Sequence, residues 1–372
     1  MSAHDGSAAA VERVSVSAYT IPTDAPEADG TYQWDSTVLV LVEVAGGGAT
    51  AIGFTYADVS TARFIHDHLA PLVIDRDAFD VPAAWVAMWR KVRNLGRPGV
   101  SAMAISAVDA ALWDLKARLL ALPLFKLLGG ARAAANIYGS GGFTSYSIKR
   151  LQDQLAGWAA QGIPRVKMKV GTHPEVDRER VSAARHAIGH SVELFVDANG
   201  AYDRKQALAF AGEFAALGVT WFEEPVSSDD LVGLRVLRNR GPAGMHIAAG
   251  EYGYDLSYFK RMLEAGAVDV LQADASRCGG ITGFLKVADL CEACGLPFSA
   301  HCAPALHLHP ACAITADFRH LEYFHDHTRI EAMLFDGVAT PINGTLRPNP
   351  VRPGLGLEFK QKDAERFKTW SA

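Results

Sequence analysis

Residues 165–171 read RVKMKVG, with two lysines one residue apart and framed by valines. On a strand, positions i and i+2 share a face. Lys167 and Lys169 therefore point to one side, and Val166, Met168 and Val170 to the other. The segment predicts a buried strand that crowds two ammonium groups onto a single face.

Short apolar segments of similar length recur along the chain. From about residue 136 they are NIYGS (136–140), RVKMKVG, ELFVDAN (193–199), VTWFEEP (219–225), HIAAGE (246–251), VDVLQAD (268–274), LPFSAH (296–301) and RHLEYF (319–324). Amphipathic stretches such as DRERVSAARHAIG and DRKQALAFAGEFAALG separate them. Strand–helix alternation implies parallel strands joined by right-handed crossovers. Eight such units predict a (β/α)8 barrel. A doubly wound open sheet is the rival, but no dinucleotide or Walker-type glycine loop follows any strand.

Upstream, ERVSVSAYTI, STVLVLVEVAGG and ATAIGFTYA predict a small antiparallel sheet. The stretch 22–35 (PTDAPEADGTYQWD) is expected to be a polar loop. Residues 100–122 predict a long, largely buried helix in which Asp109 and Asp114 are structural charges.

The 372 residues carry a formal net charge of −5, which gives no reason to expect nucleic acid or an anionic membrane as partner. Residues 1–14 do not resemble a leader, and no apolar run is long enough to span a bilayer. A cytoplasmic protein is the expectation. Five cysteines, an odd number, suit reduced thiols, and C-x-x-C at 291–294 reads as a helix end stopped by Gly295.

Charge closes each of the last seven strands. Lys167 and Lys169 end the second, and Asp197, Glu223 with Glu224, Glu251, Asp274, His301 and Glu322 end the others at one-unit intervals. They recur at the C-terminal strand ends, where barrel active sites lie. Asp197, Glu223 and Glu251 come from adjacent strands about 4.8 Å apart. Three gathered carboxylates call for a cation, and an all-oxygen set favours Mg²⁺, with Mn²⁺ as the alternative. A second ammonium and a divalent ion both disfavour protonation, so Lys169 is expected to be a neutral base. Lys167 is expected to supply part of that field and a contact for an anionic substrate. Asp274 beside His301 predicts a second acid–base group. Glu322 is expected to be protonated and to donate to substrate. His307, His309, His325 and His327 fit no zinc spacing and are expected in loops that shape the pocket.

At these residues the chain resembles the enolase superfamily, and within it the mandelate racemase subgroup. VKMKV, VDANG, FEEP, AGE, QADASRCGGITG, SAH and HLEYF stand in that family's order. The resemblance implies an α/β fold, a modified TIM barrel (β/α)7β with an N-terminal α+β capping domain. It implies a cap over 1–130, a barrel over 131–345 and a segment from 346 to 372 returning to the cap. It implies Mg²⁺ on Asp197, Glu223 and Glu251, with Lys169 and His301 as acid–base catalysts assisted by Lys167 and Asp274. Glu322 and Asn199 are implied at the substrate and near the metal. The cap loops, with Asp29, Asp35, Tyr56 and Asp58, would read the far end of a small carboxylate substrate. The implied assembly is a homo-oligomer, from dimer to octamer. The expected reaction is dehydration of a polyhydroxy acid. Racemisation or epimerisation comes second, cycloisomerisation third, and an inactive sugar-acid binding protein is the non-enzymatic alternative.

Overall fold

Val, Leu and Ile alternate through the N-terminal region. In the computed structural model, which describes residues 9–372, they form three antiparallel strands. These are β1 (Val11–Ala28), β2 (Gln33–Gly46) and β3 (Ala49–Tyr56). Residues 1–8, which begin the stretch read for a leader, lie outside the described residues.

The polar stretch 22–35 is not a free loop; most of it extends the first hairpin. Glu27 pairs with Trp34 and Ala28 with Gln33, after a register shift between Pro22 and Glu27. Pro22 is tolerated because the strand on the other side of β1 pairs only with residues 17–19, so no neighbour needs its missing N–H. The turn that remains is closed by Asp29, whose carboxylate accepts the Thr31 and Tyr32 N–H groups at 2.6 and 2.8 Å. Gly30 lies on the end of the barrel. A Cβ there would meet the Ala198 carbonyl oxygen at 2.2 Å.

The long buried helix runs Val100–Leu119 and packs directly on β3. Gly53 makes this approach feasible, since a Cβ would sit 2.2 Å from the Ala107 oxygen. Asp109 accepts the Thr282 hydroxyl and N–H at 2.6 and 2.9 Å, tying cap to barrel. Asp114 accepts the Ile52 N–H (2.9 Å), the Leu355 N–H (2.6 Å) and Arg118 (2.8 Å). It therefore joins the sheet, the helix and the C-terminal segment at one buried point. Asp114→Ala strands all three donors and is expected to cost about 3–5 kcal/mol, read as a lowered unfolding midpoint in urea.

The eight barrel strands are β4 (Ala135–Gly141), β5 (Arg165–Lys169), β6 (Glu193–Asp197), β7 (Val219–Glu223), β8 (His246–Ala249), β9 (Val270–Ala273), β10 (Phe298–Ala300) and β11 (Leu321–Phe324). They run parallel, with β11 beside β4. The ring closes where the Ala300 N–H donates to the His320 oxygen at 3.0 Å. One helix fills each of the seven gaps between successive strands. Val166 and Met168 join the apolar layer under those helices, while Tyr138, Phe195, Trp221, Ala248 and Val270 fill the barrel interior.

The C-terminal strand Lys368–Ser371 pairs antiparallel with β1. Among the described residues, no helix is long and apolar enough to cross a membrane. The histidines expected in loops lie in helices instead. His307 and His309 fall in Pro304–Ala311, and His325 and His327 in His325–Leu334. Left-handed Cys302 and Ala303 (φ 47° and 38°) turn the chain at once into a helix opened by Pro304, leaving no room for a linker.

Candidate active site

The i, i+2 pattern of β5 places Lys167 and Lys169 inside the barrel, opposite Phe195 and Asp197 of β6. Asp197 in turn stands opposite Glu223 of β7. Lys169 Nζ lies 2.5 Å from Asp197 Oδ2 and 3.1 Å from Asn199 Oδ1. Asn199 adopts φ 46°, a conformation asparagine tolerates, and its N–H donates to Asp197 Oδ1 at 2.9 Å.

Lys167 is fully buried, with Nζ 2.6 Å from Glu223 and 2.8 Å from Glu322. Carboxylates thus enclose the ammonium, and it is not among the residues that line the cavity. Glu322 is likewise buried. It accepts from Ser140 Oγ (2.6 Å) and the Cys302 N–H (2.9 Å). Burial raises its pKa, but Lys167 and His301 outweigh that and hold it well below the usual carboxylate range.

Asp197, Glu223 and Glu251 each offer one oxygen within 4.8 Å of the others. Two ammonium groups do not neutralise this cluster. Burial and then Asp197 push the Glu223 carboxyl well up. Glu251 Oε2 is buried without a hydrogen-bond partner. Glu224, buried at φ 37°, also keeps an unpartnered oxygen, and its carboxyl is raised by burial and by Glu251. An under-neutralised, all-oxygen donor set of this kind fits a hard divalent cation. Lys169 feels the same excess. Burial pulls its pKa down, but Asp197 overrides that and the net shift is upward. The neutral amine expected from the sequence thus requires the carboxylates to be neutralised first.

Across the mouth, His301 Nδ1 lies 2.9 Å from Asp274 Oδ2. Asp274 also accepts the Ser276 N–H at 2.7 Å and is depressed: burial raises it, but the hydrogen bond to His301 overrides. His301 Nε2 lies 3.4 Å from Glu251 Oε2.

Lys169, Asn199, Glu251 and His301 line one cavity of about 440 Å³, roofed by the cap hairpin and β3. Asp29, Tyr56 and Asp58 line it too, whereas Asp35 does not. Arg277, Trp34 and Cys302, to which the sequence assigned no individual role, also line it, as does His327, expected to shape the pocket. Arg277 lies 3.7 Å from Glu251 and 3.6 Å from Asp274. His327 stacks on Tyr56 with centroids 3.5 Å apart, and burial pushes its pKa down to about 3. Trp34 donates its indole N–H to Glu27, and Cys302 follows His301 directly. Arg277 stands inside the DASRCGG stretch, which was its only signal.

Residues 150–364 match the enolase C-terminal domain-like family, and residues 13–129 match the mandelate racemase / muconate lactonizing enzyme N-terminal domain. The chain belongs to the mandelate racemase/muconate lactonizing enzyme family. A 3,6-anhydro-alpha-L-galactonate cycloisomerase of Streptomyces coelicolor is 32% identical over 361 residues, 94% of this chain and 98% of that protein. A mandelate racemase/muconate lactonizing enzyme-like protein from Rubrobacter xylanophilus shares 59% identity at a TM-score of 0.95, covering 97% of this chain and all of that one. The L-talarate/galactarate dehydratase of Salmonella typhimurium LT2, liganded with Mg and L-lyxarohydroxamate, aligns at a TM-score of 0.90 and 27% identity over 100% of this chain and 96% of that one. Relatives that this chain resembles are thus named sugar-acid dehydratases, cycloisomerases and a racemase, and several of the solved ones hold magnesium.

Proposed function

We propose that the enzyme dehydrates a polyhydroxy sugar acid to a 2-keto-3-deoxy acid. One observation carries this reading. Lys169 and His301, two proton-carrying groups from opposite sides of the barrel, line the same cavity beneath a polar cap. Asp197, Glu223 and Glu251 would hold Mg²⁺. When bound there, the ion supplies a Lewis acid that acidifies the α C–H of a carboxylate substrate.

The protein's own residues do the rest. Once the surrounding carboxylates are neutralised, burial and the Lys167 charge act on Lys169 unopposed, and its amine can accept the α-proton. His301, held through Nδ1 by Asp274, gives its Nε2 proton to the departing β-hydroxyl. Water leaves, and the enol that remains tautomerises to the keto acid. Glu322 and Lys167 position one another rather than the substrate. Asn199 orients Lys169. Asp29, Ser36, Thr37 and Asp58 offer partners for hydroxyl groups, and the Tyr32–Trp34 stack and Tyr56 offer ring faces.

Cycloisomerisation is the second reading, favoured by the name of the S. coelicolor relative. The same lysine and histidine would serve it, without loss of water. The test is a panel of aldonic and aldaric acids in D₂O with Mg²⁺, followed by NMR. Keto-acid formation is expected. Exchange of the α-proton without net conversion would mark a racemase, a ring isomer a cycloisomerase, and no exchange from any acid a binding protein.

A further inference from the structure

A second ligand set stands beside the carboxylates. Cys302 Sγ lies 3.2 Å from His301 Nε2, and Glu322 Oε2 lies 3.9 Å from that nitrogen. All three residues are buried, and their donor atoms fall within 4.8 Å of one another. We propose that His301, Cys302 and Glu322 form a site for a thiophilic divalent ion, zinc above all, and that its occupation switches the enzyme off.

The spacing suits the ion. Tetrahedral zinc with bonds of about 2.0–2.3 Å to nitrogen, oxygen and sulfur sets its ligands roughly 3.3–3.6 Å apart. The two measured separations bracket that range, so small side-chain shifts complete the set. The left-handed turn at Cys302 folds its thiol back against the imidazole it follows. Asp274 bound to Nδ1 supplies the carboxylate behind a metal-ligating histidine that fixes the ring's orientation and tautomer. Glu322 Oε2 accepts only the Cys302 N–H and keeps a lone pair. His301 and Cys302 line the cavity, which opens a path for the ion and a fourth position for water. A sulfur ligand separates this site from the oxygen-only set at Asp197, Glu223 and Glu251. Magnesium has little affinity for thiolate and does not compete here. Binding expels the thiol proton and occupies Nε2, the atom that must hold a proton for turnover. The inhibition rests on the role proposed for His301; the site itself does not.

Co²⁺ reports the ligands directly, because a thiolate-to-cobalt charge-transfer band needs sulfur coordination. With the enzyme in excess Mg²⁺, one equivalent of Co²⁺ is expected to produce the band and Zn²⁺ to abolish it. Cys302→Ser should lose the band, whereas Cys294→Ala, which removes the exposed thiol, should keep it. Circular dichroism checks that the variants fold. If Cys302→Ser does not, Asp274→Asn leaves the thiol in place and should weaken Co²⁺ about ten- to hundredfold. A wild-type protein without the band, a band that survives in folded Cys302→Ser, or unchanged Co²⁺ affinity in Asp274→Asn overturns the proposal. Zinc inhibition of any turnover found should resist excess Mg²⁺ and shift at least about tenfold in Cys302→Ser. Absence of turnover with the band present would sink the dehydratase reading alone.

Discussion

Lys169→Ala is expected to lower the rate of sugar-acid turnover by about 10²–10⁴-fold, the contribution of a positioned proton acceptor. The substitution is informative because its side effects run the other way. Lys169 is the nearest counter-charge to Asp197, at 2.5 Å. Removing it leaves the carboxylate cluster more negative, so magnesium should bind at least as tightly, which calorimetry can measure. A lost rate therefore cannot be assigned to a lost ion. The α-proton exchange in D₂O should also disappear from one epimer of the substrate. A variant that exchanges and turns over at the wild-type rate would remove Lys169 from the mechanism.

The barrel was legible because its signal is periodic. Apolar runs of similar length alternate with amphipathic stretches, and a charge closes the last seven runs at unit spacing. Local physics produces both: a strand buried on its outer face needs Val166 and Met168 there, and the inner face is left for Lys167 and Lys169. The antiparallel cap sheet was legible for the same reason.

The remainder depends on contacts between distant residues. Pro22 and a run of polar residues read as a loop, because nothing local shows that the neighbouring strand stops short of them. His327 and Tyr56 stack across most of the chain, and no spacing rule reaches that far. Glu322 looked like a carboxyl surrounded by other carboxylates. Only the fold shows Lys167 at 2.8 Å, which draws the carboxyl's pKa down where neighbouring carboxylates would push it up. Sign errors of this kind arise in mixed clusters, where the nearest partner decides the charge and the sequence shows only the set.

Asp274→Asn tests the opposite side of the cavity with a different signature. Asp274 is buried and does not line the cavity, so it touches no substrate; it acts by holding His301 Nδ1 at 2.9 Å. Asparagine keeps the size but removes the charge that stabilises the imidazolium. If its amide nitrogen faces Nδ1, it also reverses the tautomer the imidazole must adopt. Dehydration should fall about hundredfold or more in kcat with KM nearly unchanged. Lys169 is untouched, so exchange of the α-proton from its face should continue, and the ratio of exchange to dehydration should rise. A merely structural aspartate would lower both together. Equal losses of exchange and dehydration in a folded Asp274→Asn enzyme would therefore argue that the dyad holds the barrel mouth in shape, and that the departing hydroxyl takes its proton from another group.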